Sequence, residues 1–230
     1  MSGYKCVTNW STLEHSRAAY RADFLLYGIA VGMLSVFLLV AAPPHDGQKI
    51  AALVLAGLAG WSLVEYALHR FVLHGMRPFK RWHMEHHRRP TALICTPTLL
   101  SAALIALLVF LPSLFSSNLW SACALTLGLL IGYMGYAIAH HAIHHWHSKN
   151  SWLKHLKRLH AMHHHTDKPG NYGVTSTFWD HAFGTAHEHS RRINQAMIHT
   201  PSRAQKSDRL FVYAASIKAR DVPRGKSELK

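Results

Sequence analysis

The feature that most limits the fold of this chain is the run of residues 91–139, which contains no Lys, Arg, Asp or Glu. A second charge-free run covers residues 24–42, and residues 50–68 carry a single acid, Glu65. One helix needs about 20 mostly apolar residues to cross a bilayer. The run at 91–139 is therefore long enough for two spans, joined around residues 112–118, and the sequence predicts four spans in all.

A cleaved leader is the alternative for the first run, because Val40, Ala41 and Ala42 resemble a cleavage site. The segment that precedes the run is too long for the basic start of a leader, and the apolar run itself exceeds the usual length. We therefore interpret residues 24–42 as a retained span.

The basic residues flank these runs. The chain of 230 residues has a net charge of +14 with neutral histidines, and Lys and Arg concentrate before the first span, after the second and after the fourth. Because cytoplasmic flanks carry the excess of Lys and Arg, these segments and both termini are predicted to be cytoplasmic. The same charge suits anionic lipid headgroups. No nucleic-acid-binding motif is recognisable, and we expect no nucleic-acid partner.

The 21 histidines are concentrated beside the second and fourth spans. Spans three and four form a hairpin that returns the chain to the face it left, so all the histidine groups are predicted to meet at one end of the bundle. The four groups are LHRFVLHG at 68–75, WHMEHH at 82–87, AHHAIHHWH at 139–147 and LHAMHHH at 159–165.

Two of these groups share the spacing HxxHH. Residues three and four apart lie on the same face of a helix, so this spacing places three imidazoles on one stripe. The residues concerned are His83, His86 and His87 in one group and His160, His163 and His164 in the other.

The third group offers two alternative stripes. His140 and His144 are four residues apart, and so are His141 and His145 on the neighbouring stripe. The spacing alone leaves open which pair points inward.

The first group has an unusual spacing for a helix. His69 and His74 are five residues apart, which separates them by roughly 140° around an α-helix. Either they splay around a centre or the helix loosens before Gly75. Glu65 lies one turn before His69, where we expect it to orient that imidazole ring.

Clustered neutral imidazoles are typical of metal sites, because imidazole is the commonest metal ligand in proteins near neutral pH. About ten inward histidines exceed the coordination number of a single ion, so they favour two ions. Nitrogen ligands suit iron, copper, nickel or zinc, and the residue types do not choose among these metals.

In the order H-x4-H, H-x2-H-H, H-x3-H-H and H-x2-H-H, the four groups resemble the fatty acid hydroxylase / sterol desaturase superfamily of membrane di-metal oxygenases. The segment NYGVTSTFWDHAFGT at 171–185 resembles the stretch that follows the last histidine box of fatty acid 2-hydroxylases. Together these motifs place the resemblance over residues 61–185.

The resemblance implies an enzyme that uses O2 and two iron ions, for which zinc can substitute, to hydroxylate a lipid, in particular a fatty acyl chain. Asp180 matches the acid of the family's FWD segment, so the resemblance implies that it supports the site. Glu65 is expected to support the site from its position one turn before His69. The implied metal ligands are His69, His74, His83, His86, His87, His140, His144, His145, His160, His163 and His164.

The expected fold is an all-α integral membrane bundle of four transmembrane helices with a cytoplasmic helical histidine-rich cap. We expect a cytoplasmic N-terminal segment at 1–23, a membrane-embedded oxygenase domain at 24–190 and a basic tail at 191–230. The short N-terminal segment leads us to expect a separate electron donor, such as cytochrome b5 or a ferredoxin. A bacterial inner membrane is favoured over the endoplasmic reticulum.

Three alternatives stay open at this point. A sterol or carotenoid desaturase or hydroxylase would share the scaffold, since hydroxylation and desaturation both begin with hydrogen abstraction. A zinc membrane hydrolase or a metal-transport relay would use similar residues without oxidation. Transport is disfavoured because the histidines lie at one edge of the spans, away from the span interiors.

Overall fold

Four helical stretches in the computed structural model are long and apolar enough to cross a membrane, which confirms the all-α bundle with four spans. The structure describes residues 14–94, 96–166 and 170–187. The four stretches are Arg17–Ala41, Pro44–Leu73, Thr98–Ser116 and Leu119–His145. Among the described residues, one isolated antiparallel bridge, between Glu14 and Ile94, lies outside the helices.

The helices alternate between membrane spans and the histidine-rich cap, which is formed by Phe79–Arg88, Ser151–His165 and the segments around them. Two π-helical segments, at Leu68–Leu73 and Ala106–Phe110, continue the second span and interrupt the third. The α-helices are α1 (Arg17–Ala41), α2 (Gly47–Ala67), α3 (Phe79–Arg88), α4 (Thr98–Ile105), α5 (Leu111–Ser116), α6 (Leu119–His145), α7 (Ser151–His165) and α8 (Phe178–Ala182).

The first span begins earlier than its apolar run. The Ser16 side chain accepts a hydrogen bond from the Ala19 N–H at 3.2 Å, so α1 starts at Arg17. This places Asp23 inside the helix, where it is buried and accepts a hydrogen bond from the Thr98 hydroxyl at 2.6 Å. A buried carboxyl is tolerated in a span because it has this partner.

The connection between spans three and four is shorter than residues 112–118, so that prediction was wrong. Pro112 lies inside α5, and the chain turns at residues 117–118, where the Asn118 side chain caps α6 by accepting from the Ser121 N–H at 2.9 Å. Proline cannot donate in a helix and crowds the preceding turn. The π-helical segment Ala106–Phe110 directly before α5 widens that turn, so the helix continues through the proline.

Helix α6 is the centre of the bundle and packs most closely against α2. A Cβ atom added at Gly128 would overlap the backbone of Val54, and one added at Gly57 would overlap the backbone of Leu125. Gly132 packs under the Trp61 ring, whereas a Cβ at Gly135 would meet nothing within 4 Å. Small residues at 57, 128 and 132 therefore let the two helices approach closely.

The apolar stripe of α7 fixes the cap onto the end of α6. Asn150 caps α7 by accepting from the Trp152 N–H at 2.8 Å. Leu153 and Leu156 then pack with Ala142 and Ile143 of α6. Because the same stripe continues through His160 and His163, burial of the leucines directs these two histidines into the protein.

The division into domains at 24 and 190 stays a prediction. The basic tail expected at 191–230 lies outside the described residues, as does most of the N-terminal segment.

Candidate metal centre

Five histidines from three elements form the first of two clusters at the end of the bundle. The π-helical segment Leu68–Leu73 supplies His69, and His74 directly follows that segment; α3 supplies two histidines and α7 supplies one. Each offers one ring nitrogen, and these nitrogens all lie within 4.8 Å of one another. The first cluster consists of His69, His74, His83, His87 and His163.

The π-helical segment explains how His69 and His74 come together despite their spacing. The His74 N–H donates to the His69 carbonyl at 3.2 Å, which is the five-residue hydrogen bond of a π-helix. The wider turn brings the two imidazole rings to 5.2 Å between centroids. Of the two alternatives left open by the sequence, the loosened helix before Gly75 is the correct one.

Four further histidines form the second cluster, again with ring nitrogens within 4.8 Å of one another: His86, His140, His144 and His160. His164 lies beside it. The Nε2 atom of His164 is 3.0 Å from that of His160, and its ring stacks on His87 of the first cluster at 4.1 Å. Helices α3 and α7 thus each contribute to both clusters.

The structure brings His145 into neither cluster. Its side chain is exposed, and its ring stacks on His141 at 4.5 Å on the outer face of α6. His141 is itself hydrogen-bonded to the Tyr20 hydroxyl at 3.1 Å. The inward register of the third group is therefore the stripe of His140 and His144.

Burial keeps the clustered histidines of α3 and α7 neutral near pH 7. Loss of hydration, reinforced by neighbouring imidazoles, lowers the pKa of His87 to about 3 and that of His86 to about 4. Burial lowers the pKa of His83 and His160 in the same direction. A neutral imidazole keeps a lone pair on one ring nitrogen, which is the state a metal ion requires.

Backbone carbonyls fix the orientation of two first-cluster rings. The Nδ1 atom of His69 is 2.5 Å from the Tyr172 carbonyl oxygen, and Nδ1 of His163 is 2.8 Å from that of Gly170. A carbonyl oxygen only accepts, so each Nδ1 donates and each Nε2 carries the free lone pair. Both carbonyls belong to the segment at 170–187, which follows α7 in the described chain.

Glu65 and Asp180 support this segment and do not contact the histidine rings through any hydrogen bond the structure shows. Asp180 is fully buried and accepts from the Tyr172 and Gly173 N–H groups, both at 2.8 Å. Glu65 accepts from the Val174 N–H at 2.7 Å and from the Thr175 hydroxyl at 2.6 Å. Glu65 therefore contacts the segment whose Tyr172 carbonyl accepts from the His69 ring.

The geometry of both clusters fits metal binding. With metal–nitrogen bonds of about 2.1 Å, neighbouring nitrogen ligands of one ion lie roughly 3 Å apart. The Nε2 atoms of His69 and His83 are 3.0 Å apart, and those of His144 and His160 are 2.9 Å apart. Both ring nitrogens of His86 are buried without a hydrogen-bond partner among the described residues. Buried nitrogens that converge in this way could serve as the donor set of a metal site.

A comparison with known families decides the assignment. The model of the fatty acid hydroxylase family matches residues 54–185, which is more than half of the chain and includes every residue of both clusters. The chain belongs to the fatty acid hydroxylase family. This confirms the resemblance drawn from the four histidine groups and the 171–185 segment.

Similar members of the family have names that concern sphingolipid acyl chains. A dihydroceramide fatty acyl 2-hydroxylase of Arabidopsis thaliana is 35% identical over 148 residues, which cover 60% of this chain and 61% of the plant protein. A ceramide very long chain fatty acid hydroxylase of Saccharomyces cerevisiae is 34% identical over 154 residues, covering 58% of this chain and 37% of the yeast protein. The matched region is therefore less than two thirds of each relative.

A solved structure has the same fold. Full-length scs7p, of which the hydroxylase domain is visible, superposes with a TM-score of 0.63 at 23% identity. The match covers 80% of this chain and 71% of the other. The arrangement of spans and cap is thus the fold of a fatty acid hydroxylase domain.

Proposed function

We propose that this protein is an O2-dependent lipid hydroxylase that acts on a fatty acyl chain. The observation that carries the proposal is the pair of histidine clusters at the ends of spans two and four, inside a chain of the fatty acid hydroxylase family. The names of the plant and yeast relatives support an acyl chain over a sterol or carotenoid as the substrate class.

Each cluster is proposed to hold one iron ion, with zinc as a substitute. The ligands would be the first and second clusters as defined above, with His164 beside the second. When bound, the iron ions supply the O2 chemistry that oxidises an unactivated C–H bond. Nitrogen ligands are compatible with iron, and the family is known for it.

The chain's own residues orient the ligands and exclude water. His69, His86 and His160 are nearly inaccessible, with exposed fractions of 3%, 4% and 3%. The carbonyls of Gly170 and Tyr172 hold the Nδ1 protons of His163 and His69, so the Nε2 lone pairs point toward the centre of the first cluster. A dry, oriented ligand set protects a reactive centre from side reactions with water.

The position of the clusters relative to the spans favours oxidation close to a polar lipid head. His69 lies in the last turns of span two, and His140 and His144 lie in the last turns of span four. The centre is therefore near the membrane interface, where the head of an amphipathic lipid resides. A carbon near the head of an acyl chain would reach this depth while the remaining chain stays among apolar residues.

The test of the proposed function is a turnover assay with isotopic oxygen. Purified, iron-loaded protein would receive a ferredoxin with its reductase as electron donor, a long-chain ceramide, a free fatty acid and 18O2. We expect a hydroxylated acyl product that contains one oxygen atom from O2. The variant His165→Ala serves as the control, because this exposed residue follows the ligands on the same helix. Oxygen-independent turnover, or an unchanged lipid pool with loaded enzyme, would contradict the proposal.

The orientation of the protein is also proposed, with both termini and the cap in the cytoplasm. Four spans return the chain to its starting side, and the basic flanks favour the cytoplasmic face. A separate electron donor would then reach the cap from the cytoplasm, in a bacterial inner membrane by preference. Reporters fused to each terminus are expected to show cytoplasmic activity, and an external C-terminus would refute the topology.

A further inference from the structure

The two clusters differ in what supports them. In the first cluster, the Gly170 and Tyr172 carbonyls accept from Nδ1 of His163 and His69. In the second, Nδ1 of His160 and both ring nitrogens of His86 are buried with no hydrogen-bond partner among the described residues. Among the described residues, backbone carbonyls therefore fix the tautomer of two first-cluster rings and of neither of these second-cluster rings.

The carbonyls that orient the first cluster are themselves held in place by two carboxyl groups. The peptide unit that contains the Tyr172 carbonyl is fixed at both ends, because the carbonyl accepts from His69 and the Gly173 N–H donates to Asp180, as does the Tyr172 N–H. The neighbouring Asn171 adopts a left-handed conformation with φ of 52°, and its N–H donates to the Thr185 carbonyl at 3.0 Å. The left-handed conformation costs energy for a non-glycine residue, and it persists where the surrounding contacts hold the backbone in place.

The second carboxyl group ties the segment to the membrane bundle. Glu65 of α2 accepts three hydrogen bonds, from the N–H groups of Val174 and Thr175 at 2.7 and 2.9 Å and from the Thr175 hydroxyl at 2.6 Å. Glu65 is one helical turn before His69, so the same helix that supplies the ligand also anchors the segment that orients it. The segment is also closely packed at Gly173, since a Cβ atom there would overlap the Ser176 carbonyl.

We propose that the two metal positions are unequal: the first cluster binds its ion more tightly and fills before the second. This inference rests on the proposed function, in that both clusters must bind metal. Glu65, Thr175 and Asp180 are positioning residues for the first cluster and act on it through the carbonyls of the segment. Groups that orient metal-bound histidines are worth about 10- to 100-fold in metal affinity, so the two dissociation constants should differ by at least about tenfold.

The test is a titration of the full chain in detergent, stripped of metal and followed by visible absorption as Co2+ is added. We expect two phases with midpoints at least about tenfold apart. We expect His74→Ala to lose the tight phase, which would assign that phase to the first cluster. We expect His144→Ala to lose the weak phase, which would assign that phase to the second cluster. Two phases of equal affinity, or the opposite assignment, would overturn the inference while leaving the metal centre intact. Absence of Co2+ binding in folded protein would instead refute the metal centre itself.

The role of the carboxyl groups is tested with a matched pair at Thr175. The variant Thr175→Val removes the hydroxyl that donates to Glu65, whereas Thr175→Ser keeps a hydroxyl at the same position. We expect Thr175→Val to weaken the Co2+ affinity of the tight phase about tenfold and to leave the weak phase unchanged. Thr175→Ser is expected to keep the affinity of the tight phase near that of the parent protein. Glu65→Gln and Asp180→Asn should shift the tight phase further in the same direction. Equal weakening of both phases would indicate a general structural role and overturn the assignment.

Discussion

Replacing His86 or His163 with alanine is expected to abolish lipid hydroxylation while the protein still inserts into the membrane. His163 belongs to the first cluster and His86 to the second, and both are buried. Removal of either takes one ligand from one ion, so each variant should lose the metal of its own cluster and more than about 100-fold of the activity. Metal content per chain and product formation, measured on the same preparation, check this expectation.

Insertion should survive because the four spans do not depend on the metal ligands. The apolar runs alone satisfy the length requirement for crossing a bilayer. The matched controls are His165→Ala, an exposed residue on α7, and His145→Ala, an exposed residue beside His144. His144→Ala should lose metal where His145→Ala retains it. Full activity of His86→Ala or His163→Ala would refute the ligand assignment.

The four spans could be predicted from the sequence because a helix that crosses a bilayer needs a long run of residues with almost no charge. Such runs are visible in one sequence alone. The position of the turn between spans three and four could not. Pro112 in an apolar run normally marks the end of a helix. The structure keeps it inside the third span by widening the preceding turn, a backbone adjustment that leaves no side-chain signature.

The histidine groups were recognisable from their spacing, but their division between two clusters was not. The HxxHH spacing places three rings on one stripe of α3, and yet His83 and His87 enter the first cluster while His86 enters the second. The helix lies between the two clusters, so neighbouring rings on its inner face serve different centres. Which ring joins which centre depends on where α6 and the π-helical segment lie, and spacing within α3 carries no information about that.

The carbonyls of Gly170 and Tyr172 were missed for a different reason. They are backbone groups, and every residue carries one. The signal that could have located them is indirect: an acid at 65 in an otherwise charge-free run and an acid at 180, each of which needs hydrogen-bond donors where it is buried. The sequence did single out both acids as supporting residues, and the structure places them against the segment at 170–187.

Alanine at Gly128 should destabilise the bundle, and alanine at Gly135 of the same helix should not. A Cβ at Gly128 would overlap the Val54 carbonyl of α2, so the two helices would have to separate at this contact, at a cost of about 2–3 kcal/mol. A Cβ at Gly135 meets nothing within 4 Å, and alanine is the better helix former.

Thermal unfolding in detergent, compared for the two variants and the parent protein, measures this difference directly. The separation of α2 from α6 would also move His69 relative to His140 and His144, because the π-helical continuation of α2 carries His69 of the first cluster and α6 carries His140 and His144 of the second. We therefore expect Gly128→Ala to lose metal as well as stability, while Gly135→Ala retains both. Equal midpoints for the two variants would mean that α2 and α6 do not depend on close approach at Gly128, and the close-packed arrangement of the bundle would be wrong.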